Sequence, residues 1–120
     1  MTNHILKGRM GEETAVKFLL WKGYQILERN WRFGRKELDV IARDRDITVF
    51  LEVKSRRTMG DERYDELVNQ SKQRAIISAA NGYMIGNSLT GVMRFDVVFI
   101  IGQGDEPHIE HIENAFTSWG

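Results

Sequence analysis

A chain of 120 residues, 42% of them apolar, has room for one domain with one sizeable core and no second. It has no cysteine, which excludes disulfides and thiolate metal sites, and no apolar run approaches the ~18 residues of a membrane span. Zero net charge counts against tight, non-specific DNA binding, but residues 29–57 carry nine basic and five acidic side chains while residues 103–120 carry none and four. The middle segment therefore offers a local positive patch suited to phosphate. The N-terminal stretch lacks the apolar stretch of a signal peptide, so the expected location is the cytoplasm.

In chain order, the spacing of Met10, Ala15, Phe18, Leu19 and Trp21 predicts a helix from about Lys7 to Lys22, stopped by Gly23. A strand is expected at Tyr24–Trp31, with Tyr24, Ile26 and Leu27 inward. Two more follow at Glu37–Arg43 and Ile47–Lys54, joined by a polar turn at Asp44-Arg45. A longer helix should begin after Gly60-Asp61 and end near Asn81-Gly82, on the spacing of Leu67, Val68, Ala75, Ile76, Ala79 and Ala80. Met93–Ile101 reads as a central strand. Pro107 marks a turn, and His108–Ile112 suits a short edge strand. The order α-β-β-β-α-β, with that extra strand, predicts an α/β (α+β) fold, a mixed sheet flanked by helices, in a single domain over 1–120.

The informative stretch is Glu37-Leu38-Asp39-Val40-Ile41 followed by Phe50-Leu51-Glu52-Val53-Lys54. Strand residues two apart share a face. A turn over Asp44 to Ile47 makes Ile41 oppose Phe50, Asp39 oppose Glu52 and Glu37 oppose Lys54, all on one face. Opposed Cβ atoms stand roughly 4.5–5.5 Å apart, so two carboxylates there repel unless a proton or cation intervenes. A hard cation such as Mg²⁺ or Mn²⁺ takes one or two carboxylates plus water and phosphate oxygens. Lys54 beside it would serve the attacking water or stabilise charge on phosphate. The competing reading is an amphipathic hairpin with a solvated polar face, in which Glu37–Lys54 is an ordinary ion pair. Glu12 lies at helical spacing from Ala15, Val16 and Leu19 and needs a partner, unless it is an acid favoured by the first turn of its helix. Lys72 sits on the apolar side of the second helix, between Val68 and Ile76, and either snorkels outward or reaches the site; Gln70 is a weaker candidate.

Glu37-x-Asp39, then twelve residues, then Glu52-x-Lys54 resembles the PD-(D/E)xK signature of the restriction-endonuclease-like nuclease superfamily. Gly8-Arg9, Gly11-Glu12, Gly23-Tyr24, Asn30-Trp31-Arg32, Phe50–Arg56, Lys72, Arg94–Val98 and Ile109–Ile112 with Asn114-Ala115-Phe116 resemble the YraN-like bacterial family. The resemblance implies a restriction-endonuclease-like core similar to that of archaeal Holliday-junction resolvases. It implies Asp39 and Glu52 as metal ligands, Lys54 as the catalytic lysine, Glu37 as the preceding acid and Glu12 as a helix-borne acid that completes the site. One departure is Lys36, where that family usually has glycine.

The chemistry expected is Mg²⁺- or Mn²⁺-dependent hydrolysis of DNA phosphodiesters, on branched or damaged DNA, with RNA as the other polymer considered. Arg32, Arg35, Lys36, Arg56, Arg57 and Lys72 would contact phosphate. The alternative is a non-catalytic nuclease-fold module that binds nucleic acid or a protein partner; a structural interaction protein is a third reading. Junction resolution would require a two-fold homodimer. His4, His108 and His111 form no metal spacing, and the last two read as surface residues on an edge strand. Ser55, Ser71, Ser78 and Ser88 lack a paired histidine. Trp21, Trp31 and Trp119 are expected mainly in packing.

Overall fold

The computed structural model describes residues 2–57, 69–102 and 106–117, with side chains from residue 11. Its elements are α1 (Thr2–Trp21), β1 (Gln25–Phe33), β2 (Lys36–Asp44), β3 (Ile47–Arg56), α2 (Gln70–Gly86), β4 (Met93–Ile101) and β5 (His108–Phe116). The strands form one sheet in the order β1-β2-β3-β4-β5. Only the β3–β4 pair is parallel, and α2 lies in the crossover between those strands. This is the α+β arrangement with a mixed sheet that the pattern predicts, and the extra C-terminal strand is present.

Each face of the sheet buries one helix. Ala15, Val16 and Leu19 of α1 pack with Tyr24, Val40, Ala42, Val49, Leu51, Val98 and Ile100. Ile76, Ala79, Ala80, Tyr83 and Met84 of α2 pack with Leu38, Ile41, Phe50, Phe95, Val97, Phe99 and Phe116 on the other face. Fully burying one such Leu, Ile or Phe contributes about 1.5–3 kcal/mol, so the layers are held by the helical stripes read in the sequence. Trp21 departs from its predicted stripe and is 82% exposed. The helix turns it outward, and the chain leaves α1 through Gly23, at φ 93, a left-handed angle that glycine adopts without strain.

The second helix begins at Asn69, whose side chain accepts the Lys72 N–H as an N-cap. Its predicted earlier portion, with Leu67 and Val68, falls outside the described residues. The helix continues to Gly86, past the expected stop at Gly82. Gly82 lies inside the helix, where its missing Cβ leaves room for the Phe33 ring.

Two polar residues are locked inside. Asp96 of β4 is 1% exposed. It accepts two bonds from Arg94 at 2.9 Å each, one from His111 at 2.7 Å and one from the Asn114 N–H at 2.9 Å. Burial opposes its charge, but the donors outweigh burial and hold the carboxyl below its usual range. The edge-strand pattern predicts a surface position for His111; its side chain is instead 3% exposed. It donates to Asp96 from Nε2, which leaves Nδ1 to accept from Lys22, the residue just after α1, at 2.9 Å. The network ties β5 and the turn after α1 to β4. His108 is exposed, as expected.

Candidate functional site

The β2–β3 hairpin has the predicted register through Asp44↔Ile47, Arg43↔Thr48, Ala42↔Val49, Ile41↔Phe50 and Val40↔Leu51. The turn residue Arg45 takes φ 59, as a two-residue hairpin turn requires. The described ladder ends at Val40↔Leu51, and the site pairs expected further along that register, Asp39–Glu52 and Glu37–Lys54, are not made. Instead the Asp39 carboxylate accepts the Val53 N–H at 2.8 Å and fills the gap between the parting strands.

The cause lies in β1. Asn30 takes φ 52, a left-handed angle that asparagine tolerates better than most residues. It stands between the paired positions Arg29↔Val40 and Trp31↔Leu38, across from Asp39. Alternation breaks there: Leu38 faces α2 whereas Val40 faces α1. Irregular strand positions of this kind re-aim side chains beside functional sites. The expectation that strand residues two apart share a face therefore fails for Leu38 and Val40 and is corrected. So is the prediction that Glu37 joins Glu52 and Lys54, because Glu37 alternates with Leu38 and pairs with Arg32 at 3.4 Å.

Glu52 follows Phe50 on the α2 face, and its side chain is 8% exposed. Its Oε1 accepts from Lys36 Nζ at 3.1 Å. Its Oε2 is the one buried side-chain oxygen or nitrogen without a partner among the described residues. Asp39 is raised from an ordinary 3.8 to about 7, first by burial and then by the charge of Glu52. The Val53 N–H and Lys54 pull it down, and Glu12 pushes it up. Lys54 is half-buried, and burial lowers its pKa; the charge of Glu52 opposes that shift and Lys72 adds to it.

Glu12 sits in the middle of α1, not in its first turn, and Oε1 accepts from Asn30 at 2.7 Å and from Arg29 at 3.3 Å. The partner its position demanded is thus β1, while its charge still reaches Asp39. Gly11 brings α1 close to β3, where a Cβ would strike Ser55 Oγ. Lys72 and Gln70 are exposed at the start of α2, and the field of Lys72 reaches Lys54. Arg32, Arg35 and Arg57 are exposed, Arg56 is half-buried, and Lys36 turns inward to Glu52.

The donor set suits a hard divalent cation. Two carboxylates stand in mutual repulsion, and one of them has an unused buried oxygen. Among the described residues no group of three or more carboxylate or imidazole side chains is poised to hold a metal. A pair is nevertheless what Mg²⁺ commonly takes, with water and phosphate filling the rest. The sequence pointed to Asp39, Glu52, Lys54 and Glu12. It missed Asn30, for which the only signal was an asparagine inside a strand pattern, and the contact of Lys36 with Glu52.

No described helix is long and apolar enough to cross a membrane. The profile of the Uncharacterised protein family UPF0102 matches residues 11–100. A UPF0102 protein of Flavobacterium psychrophilum is 39% identical over 116 residues, covering 97% of this chain and 98% of its own length. One from Chlorobium phaeobacteroides is 46% identical, covering 92% and 94%. One from Rhodococcus opacus is 42% identical, covering 97% and 100%.

Proposed function

The chain belongs to the UPF0102 family, which is the YraN-like family its sequence resembles, and for it we propose the function of a cytoplasmic, metal-dependent endonuclease that hydrolyses DNA phosphodiester bonds. The observation that carries this reading is the Asp39–Glu52 pair, Asp39 half-buried and Glu52 buried, with Glu52 Oε2 lacking a partner and Lys54 alongside. Two like charges withdrawn from water are costly. A protein that keeps them has a use for a cation there.

Asp39 and Glu52 would hold Mg²⁺ or Mn²⁺. When bound, such an ion stabilises charge on a phosphoryl oxygen and makes water a stronger nucleophile. Hydrolysis forms one bond from water oxygen to phosphorus and breaks one bond from phosphorus to the leaving sugar oxygen. Lys54, protonated, donates from Nζ to a phosphate oxygen; in its neutral fraction, enlarged by burial, it accepts the proton of the attacking water. The Val53 N–H fixes Asp39 so that its other oxygen stays available. Exposed Arg32, Arg35, Arg57 and Lys72 would hold the backbone by neutralising phosphates. Branched or damaged DNA is the proposed substrate, with RNA the competing polymer, and paired cuts in a junction would need a homodimer.

The test is cleavage of plasmid, single-stranded and four-way-junction DNA, with single-stranded RNA alongside, in Mn²⁺. Activity should vanish in chelator and in Glu52→Gln. Cleavage that survives both Lys54→Ala and Glu52→Gln would identify a contaminant and end the enzymatic reading. A second reading, a non-catalytic module binding nucleic acid or a protein, draws on Glu12 and Glu52 each already holding an internal cation. Salt-dependent DNA binding without cleavage would favour it.

A further inference from the structure

Lys36 opens β2 directly after the tight turn at Gly34-Arg35, paired with Phe33 across the β1–β2 ladder. Alternation from Leu38 puts Lys36 on the α2 face, the face of Glu52. Its ammonium reaches Glu52 Oε1 at 3.1 Å, with the two side chains only 25% and 8% exposed. A charge-assisted contact so far from solvent is little screened by salt.

A charge count gives this contact its meaning. Asp39 and Glu52 bring two negative charges when ionised; Lys36 and Lys54 bring two positive ones. The metal-free site is therefore close to neutral. A divalent cation arriving at Glu52 would make it net +2, and Coulomb repulsion falls hardest on the cation already touching the same carboxylate. Lys36 stands on a hairpin rim with a flexible four-carbon stem, so it can leave. Lys54 is half-buried on the same strand as Glu52 and has less freedom to do so.

We propose that Lys36 is the resident counter-ion of the metal-free site, held on the Glu52 carboxylate that a divalent metal would bind, and that its displacement by the metal's charge sets this protein's metal affinity. The proposal rests on the metal-binding reading above. Displaced, the Lys36 ammonium lies at the mouth of the site, where it becomes a phosphate contact. Metal loading and substrate engagement are then coupled: phosphate stabilises the displaced lysine, and so favours the metal-bound form.

Mn²⁺ titration by calorimetry at fixed pH and ionic strength, on the full chain without nucleic acid, tests it in four proteins. Lys36→Met should tighten Kd about tenfold, which is about 1.4 kcal/mol, whereas Lys36→Arg should stay near wild type. Lys72→Met removes a cation that touches the site only through its field, and should change Kd by less than about threefold. Wild-type affinity in Lys36→Met, or equal tightening in Lys72→Met, overturns the proposal and leaves metal binding standing. Absence of Mn²⁺ binding in both wild type and Lys36→Met overturns the metal reading, and this one with it. Circular dichroism of each variant checks that the rim substitution leaves the fold intact.

Discussion

Replacing Asp39 by asparagine should stabilise the metal-free protein, and only where the carboxylate is ionised. The amide keeps an acceptor for the Val53 N–H, so the hydrogen bond at 2.8 Å is preserved. What disappears is a charge that burial and Glu52 oppose, a cost expressed as a pKa raised from 3.8 to about 7. At about 1.4 kcal/mol per pH unit, that difference amounts to about 4 kcal/mol at most. The penalty is shared with Glu52, so Asp39→Asn should recover about 1–3 kcal/mol. The sign follows from proton counts: between pH 3.8 and about 7 the folded state holds more protons at Asp39 than the unfolded chain. Wild-type stability from this group therefore falls as pH rises through that window and stays low above it. Urea unfolding in EDTA at pH 8 should show the variant more stable, and at pH 4 the gap should close. In Mg²⁺ the wild type should gain stability by mass action and the variant should gain less. A variant equal to or weaker than wild type at pH 8 in EDTA would refute the claim that the carboxylate pair is strained.

Asp96→Ala should cost about 3–5 kcal/mol in urea unfolding, because it leaves Arg94 without its buried counter-charge and His111 Nε2 without its buried acceptor; a loss below about 1 kcal/mol would remove that network's structural role. Lys54→Met should lower cleavage by about 10²–10⁴-fold while Mn²⁺ binding by calorimetry persists, the separation expected of a proton-handling group that is not a ligand. Removing the charge at Arg35 or Arg57 should weaken DNA binding across sequences and reduce the slope of log K against log salt by about one for each phosphate left without its cation; an unchanged slope would place the DNA on another face.

Much of the fold was legible because its determinants are local. The helical stripe Ala15-Val16-Leu19 and the run at Met93–Ile101 depend on periodicity, which needs no distant partner. The hairpin register from Asp44↔Ile47 to Ile41↔Phe50 depends on a two-residue turn and alternating apolar faces. The candidate site residues were legible as well, since Asp39, Glu52 and Lys54 lie within sixteen residues of one another along one hairpin.

The directions of those side chains were not legible. Strict alternation put Glu37 with Lys54, but the left-handed backbone of Asn30 on the neighbouring strand breaks the pattern opposite Asp39, sending Glu37 to Arg32 and Asp39 to the Val53 N–H. His111 passed for a surface residue because its partners, Asp96 and Lys22, come from β4 and from the turn that follows α1. Glu12 called for a partner by its position in α1, and only packing chose Arg29 and Asn30. The sequence by itself thus determined the elements, their order and the identity of the chemical groups, since these follow from neighbours in the chain. The tertiary structure alone decided which charges meet, because a hydrogen bond or ion pair between strands depends on register and backbone angle to within an ångström or so, and a single irregular residue resets both.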